Sequence, residues 1–191
     1  MSAPFLKRPS LPIVLLALLF AGPLIGAFWL YYGAESLRPA GRTNHGVLLE
    51  PLVDLDDVVT NPAFSDAVRD HWALLYANEG ECDNDCRDAL YTLRQARLML
   101  GQDMDRMARV FLHGETPPDR VFLEEQHQGL ITIRDRALRR ELEAMRPREA
   151  AAGGYYLVDP LGNLVMYFPP DIAPGDMVDD IEHLLELSRI G

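Results

Sequence analysis

The chain has 191 residues, 48 % apolar and 25 % charged, with a formal net charge of −11. That length suits one domain plus an appendage, and an apolar content near half excludes a disordered tail. Acids outnumber bases 29 to 18, which excludes nucleic acid as a partner, and two cysteines exclude a disulfide-rich scaffold or a four-cysteine zinc centre.

From Pro9 to Ala34 no charged side chain occurs, a run of 26 residues. Its core, LPIVLLALLFAGPLIGAFWLYYG at 11–33, is long enough at 1.5 Å per residue to cross a ~30 Å hydrocarbon layer. Pro23 lies mid-span, where lipid-embedded helices tolerate it, and Trp29, Tyr31 and Tyr32 form an aromatic belt at the far end. No A-x-A-like cleavage site follows. The expectation is a cytoplasmic N-terminus over 1–10, a transmembrane anchor over 11–33, a tether over 34–45 and a globular domain over 46–191. Lys7 (the only lysine) and Arg8 precede the span, but Arg38 and Arg42 follow it, so the charge bias is slight. The cysteine pair adds weight to an external domain on the oxidising side.

Beyond the tether, 46–55 (GVLLEPLVDL) has apolar runs split by Pro51, which suits an edge strand or hairpin. After Asn61-Pro62, the continuous apolar run WALLYA at 72–77 predicts a strand buried on both faces. A helix is predicted from about Asp85 to Leu100, with Ala89, Leu93, Ala96 and Leu100 as its apolar stripe and Gly101 as its stop. Val110–Leu112 reads as the next strand. Pro117-Pro118-Asp119 opens a short helix to about Gln126, and Gly129 closes it. A strand at Leu130–Ile133 and a helix at Ala137–Met145 follow. Tyr155–Val158 and Leu164–Phe168 flank a turn at Asp159-Pro160-Leu161-Gly162-Asn163. The last helix, Pro174–Leu187, turns Met177, Ile181, Leu184 and Leu185 inward. Alternating strands and helices closed by a hairpin predict an α/β fold, a mostly parallel central sheet with an antiparallel hairpin edge.

Cys82-Asp83-Asn84-Asp85-Cys86 joins the first buried strand to a helix. A helix N-terminus stabilises thiolate, and this spacing allows either a disulfide across the first turn or two thiolates on one metal. Glu79, Glu81, Asp83, Asp85 and Asp88 surround the pair with only Arg87 against them. Such anions disfavour thiolate, which favours a reductant, a copper site or a stable disulfide over a strong oxidant.

With the strand, the C-x₃-C pair, the helix and the YLVDPLGNLVMYF hairpin, the chain resembles the thioredoxin superfamily, and more narrowly the membrane-anchored Sco/SenC-type cytochrome oxidase assembly proteins. The resemblance spans roughly 44–187 plus the anchor. It implies a thioredoxin-like (Sco-type) fold, with Cys82 and Cys86 either holding copper together with a distal histidine or acting as a thiol reductant on oxidase subunit II. It further implies a bacterial inner-membrane protein with its C-terminal domain in the periplasm. Two positions depart from the pattern: Ala151 stands where the copper-ligand histidine is expected, and Gly153 where thioredoxins carry a cis-proline.

Among the other histidines, His71 and His127 precede strands, which places them roughly 20 Å from the cysteine edge for a six-residue strand. His45 is in the tether and His183 on the last helix. His113 follows a strand parallel to the first and emerges at the carboxyl edge with the cysteines, so it is the one candidate third ligand. Met99, Met104 and Met107 are soft donors whose spacing suits packing better. Three functions follow: thiol–disulfide reduction of cytochrome c oxidase subunit II or another exported thiol client through Cys82/Cys86, a copper(I) relay using both thiolates with His113 or a borrowed ligand, or a non-catalytic assembly scaffold.

Overall fold

The computed structural model describes residues 11–32, 44–55 and 61–188. The expected cytoplasmic N-terminus and nearly all of the expected tether lie outside them. The chain divides into two compact units, Met1–Thr43 and Asn44–Gly191. In the first, helix α1 runs Leu11–Tyr32 with Pro23 inside it. Among the described residues no helix is long and apolar enough to cross a membrane. Several side chains of α1 fall outside that set, and its full sequence is 22 residues without a charge.

The second unit is a six-stranded sheet in the order β1-β6-β5-β2-β3-β4. Its elements in chain order are β1 (Val47–Asp54), α2 (Pro62–Val68), β2 (Trp72–Asn78), α3 (Asn84–Met99), a 3₁₀ turn (Gly101–Arg106), β3 (Met107–His113), α4 (Arg120–Gln126), β4 (Leu130–Ile133), α5 (Arg136–Met145), β5 (Tyr155–Val158), β6 (Asn163–Phe168) and α6 (Pro174–Leu187). β2, β3 and β4 are parallel, whereas β5 runs antiparallel to β2, β6 to β5 and β1 to β6. The sheet is therefore mixed, and the expectation of a mostly parallel one is corrected. A four-residue turn can only reverse the chain, so the β5–β6 hairpin sets an antiparallel half beside β2, and β1 extends that half at the edge.

The continuous apolar run of β2 feeds two cores. Trp72, Leu74 and Tyr76 face one side with Leu90, Leu93 and Ala96 of α3 and Met177, Ile181 and Leu185 of α6. Ala73 and Leu75 face the other, with Phe64 and Val68 of α2 and Leu138 and Leu142 of α5. Alternation in β2 thus buries both faces, as a strand covered by helices on each side requires. On α3 the inward stripe is Cys86, Leu90, Leu93 and Ala96. Leu90 joins the stripe at its centre, and the expected Ala89 packs half-buried at its margin. Helix α2, which no apolar periodicity announced, is set by Asn61, whose side chain accepts from Ala63 N at 3.0 Å, and by Pro62 in its first turn.

Candidate functional site

At the carboxyl end of β2, Asn78 organises the descent to the cysteines. Its Oδ1 accepts from Gly80 N at 3.1 Å and its Nδ2 donates to Glu81 O at 3.4 Å. Asp83 then caps α3, its carboxylate accepting from Cys86 N at 3.1 Å. This brings Cys82 and Cys86 together as a disulfide across the first turn, with a Cα separation of 5.1 Å. Cys86 is buried at 1 % exposure, whereas Cys82 is partly exposed. An external thiol therefore reaches the sulfur of Cys82 first.

A shallow cleft beside Cys82 is lined by Glu81, Arg87, Pro117, Pro118 and Phe122. The Arg87 guanidinium lies 4.6 Å from the Phe122 ring centre, which fixes the nearest cation on the cleft wall. Glu79 is drawn aside by Arg139 of α5 at 2.8 Å. Behind the loop, Gly114 approaches so closely that a Cβ there would stand 1.9 Å from Glu79 O, so only glycine fits. Beneath α3, the Tyr76 ring stacks on Phe111 at 5.7 Å and leans on Tyr155 at 5.8 Å. Burial, with Tyr155, Asp83 and Asp85 adding to it, pushes the Tyr76 hydroxyl up to about 12, so it stays a neutral donor.

The loop that faces α3 from the β5 side is held by one phenol. Tyr167 Oη donates to Ala151 O at 2.5 Å and accepts from Gly154 N at 2.9 Å. Gly153 sits at φ +84°, and Ala152 and Gly153 line a cleft shared with Asp85, Asp88 and Tyr76. The loop is thus pinned, with glycine at the place where the resemblance to thioredoxins implies a cis-proline. Sequence reasoning missed Asn78, Tyr76 and Tyr167. The strand pattern reads them only as core or turn residues, and the polar tips act through contacts distant in sequence.

His113 ends β3 in register with Asn78, at the expected edge, and its Nδ1 bonds Gly114 O at 2.9 Å. It is not gathered with the sulfurs: among the described residues the ligand group found is His45, Asp176 and Asp179. His127 is buried and His71 and His183 are exposed. A copper centre of two thiolates and a histidine does not fit these residues. No histidine is gathered with Cys82 and Cys86 among the described residues, and Ala151 supplies no side-chain donor.

Residues 72–188 match the family model described as "Transmembrane-like, thioredoxin-like, C-terminal domain". The chain belongs to this family. Sco structures share the fold of this thioredoxin-like domain. The apo Sco1 protein of Thermus thermophilus is 20 % identical, with a TM-score of 0.57 over 76 % of this chain and 99 % of that one. Yeast Sco1 is 15 % identical, with a TM-score of 0.52 over 75 % of this chain and 98 % of that one. Yeast Sco1 with copper bound is 15 % identical, with a TM-score of 0.51 over 76 % and 90 %. No curated protein sequence matches the chain.

Proposed function

We propose that this thioredoxin-like domain is a thiol–disulfide reductant that acts on an exported client through Cys82 and Cys86. The observation that carries this reading is the asymmetry of the pair at a strand-to-helix junction, with one sulfur accessible and its partner buried. In the reduced protein, the Cys82 thiolate attacks one sulfur of the client disulfide and releases the other as a thiolate, which takes a proton. The Cys86 thiol then loses its proton and attacks Cys82 Sγ, breaking its bond to the client sulfur, which leaves as a thiolate and takes a proton. The protein becomes the disulfide and the client a dithiol, two electrons having moved to the client. Return to the dithiol requires an external dithiol reductant. The first turn of α3 stabilises thiolate character while the carboxylates around it oppose that, a balance suited to a donor of electrons.

The client class is a copper-site protein, with cytochrome c oxidase subunit II as the foremost candidate; this rests on the resemblance to Sco-type proteins. Anchoring by α1 in a bacterial inner membrane, with the C-terminal domain in the periplasm, rests on its uncharged 22 residues and on the cysteine pair. The test uses the full chain in non-ionic detergent and an oxidised two-cysteine peptide from the copper loop of subunit II. The reduced protein should yield peptide dithiol and protein disulfide in equal amounts. Cys86→Ser should stop at a mixed disulfide through Cys82, and Cys82→Ser should form none. Reduced protein that leaves the peptide oxidised overturns the reading.

A further inference from the structure

Away from the cysteines, α3, β3 and the end of α4 with the segment after it form a further cleft lined by Arg94, Arg97, Arg109, Glu125 and Gln128. Three guanidinium groups converge there in a chain whose net charge is −11. Arg109 points off β3 on the same face as Met107 and Phe111 and is only 4 % exposed. Its Nη2 donates to Gln128 O at 2.5 Å, but its Nε and Nη1 are buried without a partner, as is Nε of Arg94. Arg94 Nη1 donates to Gln126 O at 2.7 Å and Arg97 Nε to Met107 O at 2.8 Å, both neutral carbonyls, while Arg97 Nη2 donates to the Asp105 carboxylate at 3.3 Å.

Carboxylates offset this charge only in part. Asp105 meets Arg97 at 3.3 Å from an exposed position, and Glu125 on the cleft wall is exposed. Desolvation first, then Arg97 and Arg94, lowers Arg109 to about 10, the expected response of a cation buried among cations. Capping the carbonyls after α4 explains one donor on each of two arginines. It leaves the buried nitrogens and the excess positive charge unexplained.

We propose that this cleft binds a phosphoryl group, free or esterified, held by Arg94, Arg97 and Arg109. Three lining cations against Glu125 on the wall and Asp105 on Arg97 leave an excess of positive charge, which an anion balances. A tetrahedral oxyanion also offers acceptors to several guanidinium N–H groups at once. A carboxylate offers its two acceptor oxygens in one plane, and chloride has no directional acceptors.

The experiment titrates the full chain, in non-ionic detergent, with inorganic phosphate, glycerol 3-phosphate, acetate and chloride at matched ionic strength. Calorimetry and thermal unfolding are the readouts. Phosphate should bind one to one and raise the unfolding temperature, with acetate and chloride giving neither. Equal binding of glycerol 3-phosphate identifies an esterified ligand, and its exclusion a free one. Arg109→Gln should weaken phosphate binding by about tenfold or more, the effect of losing charge-assisted hydrogen bonds. Should that buried variant fail to fold, Arg94→Ala at a partly exposed position must show the loss instead. Absence of phosphate binding, or unchanged affinity in Arg94→Ala, overturns the proposal.

Discussion

Ala151 and Gly153 show how single residues set the chemistry of a shared fold. The loop that carries them is pinned by Tyr167 to Ala151 O and Gly154 N, so its path does not depend on a proline. What the loop lacks is a donor atom, and two thiolates alone leave copper(I) under-coordinated. The carboxylates near the pair are hard oxygen donors, poorly matched to that ion. The reduced protein should therefore retain copper(I) weakly against a competing chelator, Ala151→His should improve retention, and His113→Ala should change it little. A tight one-to-one complex abolished by His113→Ala would overturn this expectation and favour the copper relay.

At the scale of elements, α3 depends on its cap. Asp83 closes the first turn by accepting from Cys86 N, so Asp83→Ala should lower the unfolding free energy by about 1 kcal/mol in denaturant titration. An unchanged midpoint would mean that the disulfide alone holds that turn. Helix α4 ends on His127, which is 3 % exposed, packs against Phe122 at 4.7 Å and faces Arg94 of α3 and Arg109 of β3. Desolvation, then those two cations, pushes His127 down to about 4 from 6.5. The folded form therefore refuses a proton that the unfolded chain accepts. Stability that is full above about pH 6.5 declines as pH falls towards 4. Denaturation midpoints measured across that range should drop in the native protein, and His127→Gln should flatten this part of the profile. An identical slope in the variant would assign the acid sensitivity to other groups.

For the whole molecule, the boundary between the two compact units falls at Thr43 and Asn44, inside the expected tether of 34–45. A fragment beginning at Arg42 should fold and remain monodisperse without detergent, which circular dichroism and size-exclusion chromatography check. Aggregation would mean that the apolar helix packs on the domain. Strand β2, the cysteine loop and the β5–β6 hairpin were legible in the sequence because each rests on local signals: a continuous apolar run, a spacing of four residues, and a turn rich in Asp, Pro and Gly. The same local signals placed α3 and α6 nearly to the residue, and Cys82 and Cys86 at one helix start. Helix α2 was not legible, because seven residues are too few for a periodicity to register and its start, Asn61-Pro62, is a dipeptide that suits a turn equally well. The sequence by itself thus determined an uncharged N-terminal helix, an α/β domain and an adjacent cysteine pair. Only the tertiary structure decided that half the sheet runs antiparallel, that Cys86 is buried while Cys82 is reachable, that His113 stays apart from both sulfurs, and that Arg94, Arg97 and Arg109 share one cleft. These are matters of which strand lies beside which and how deep a side chain ends, and both follow from contacts between residues far apart along the chain.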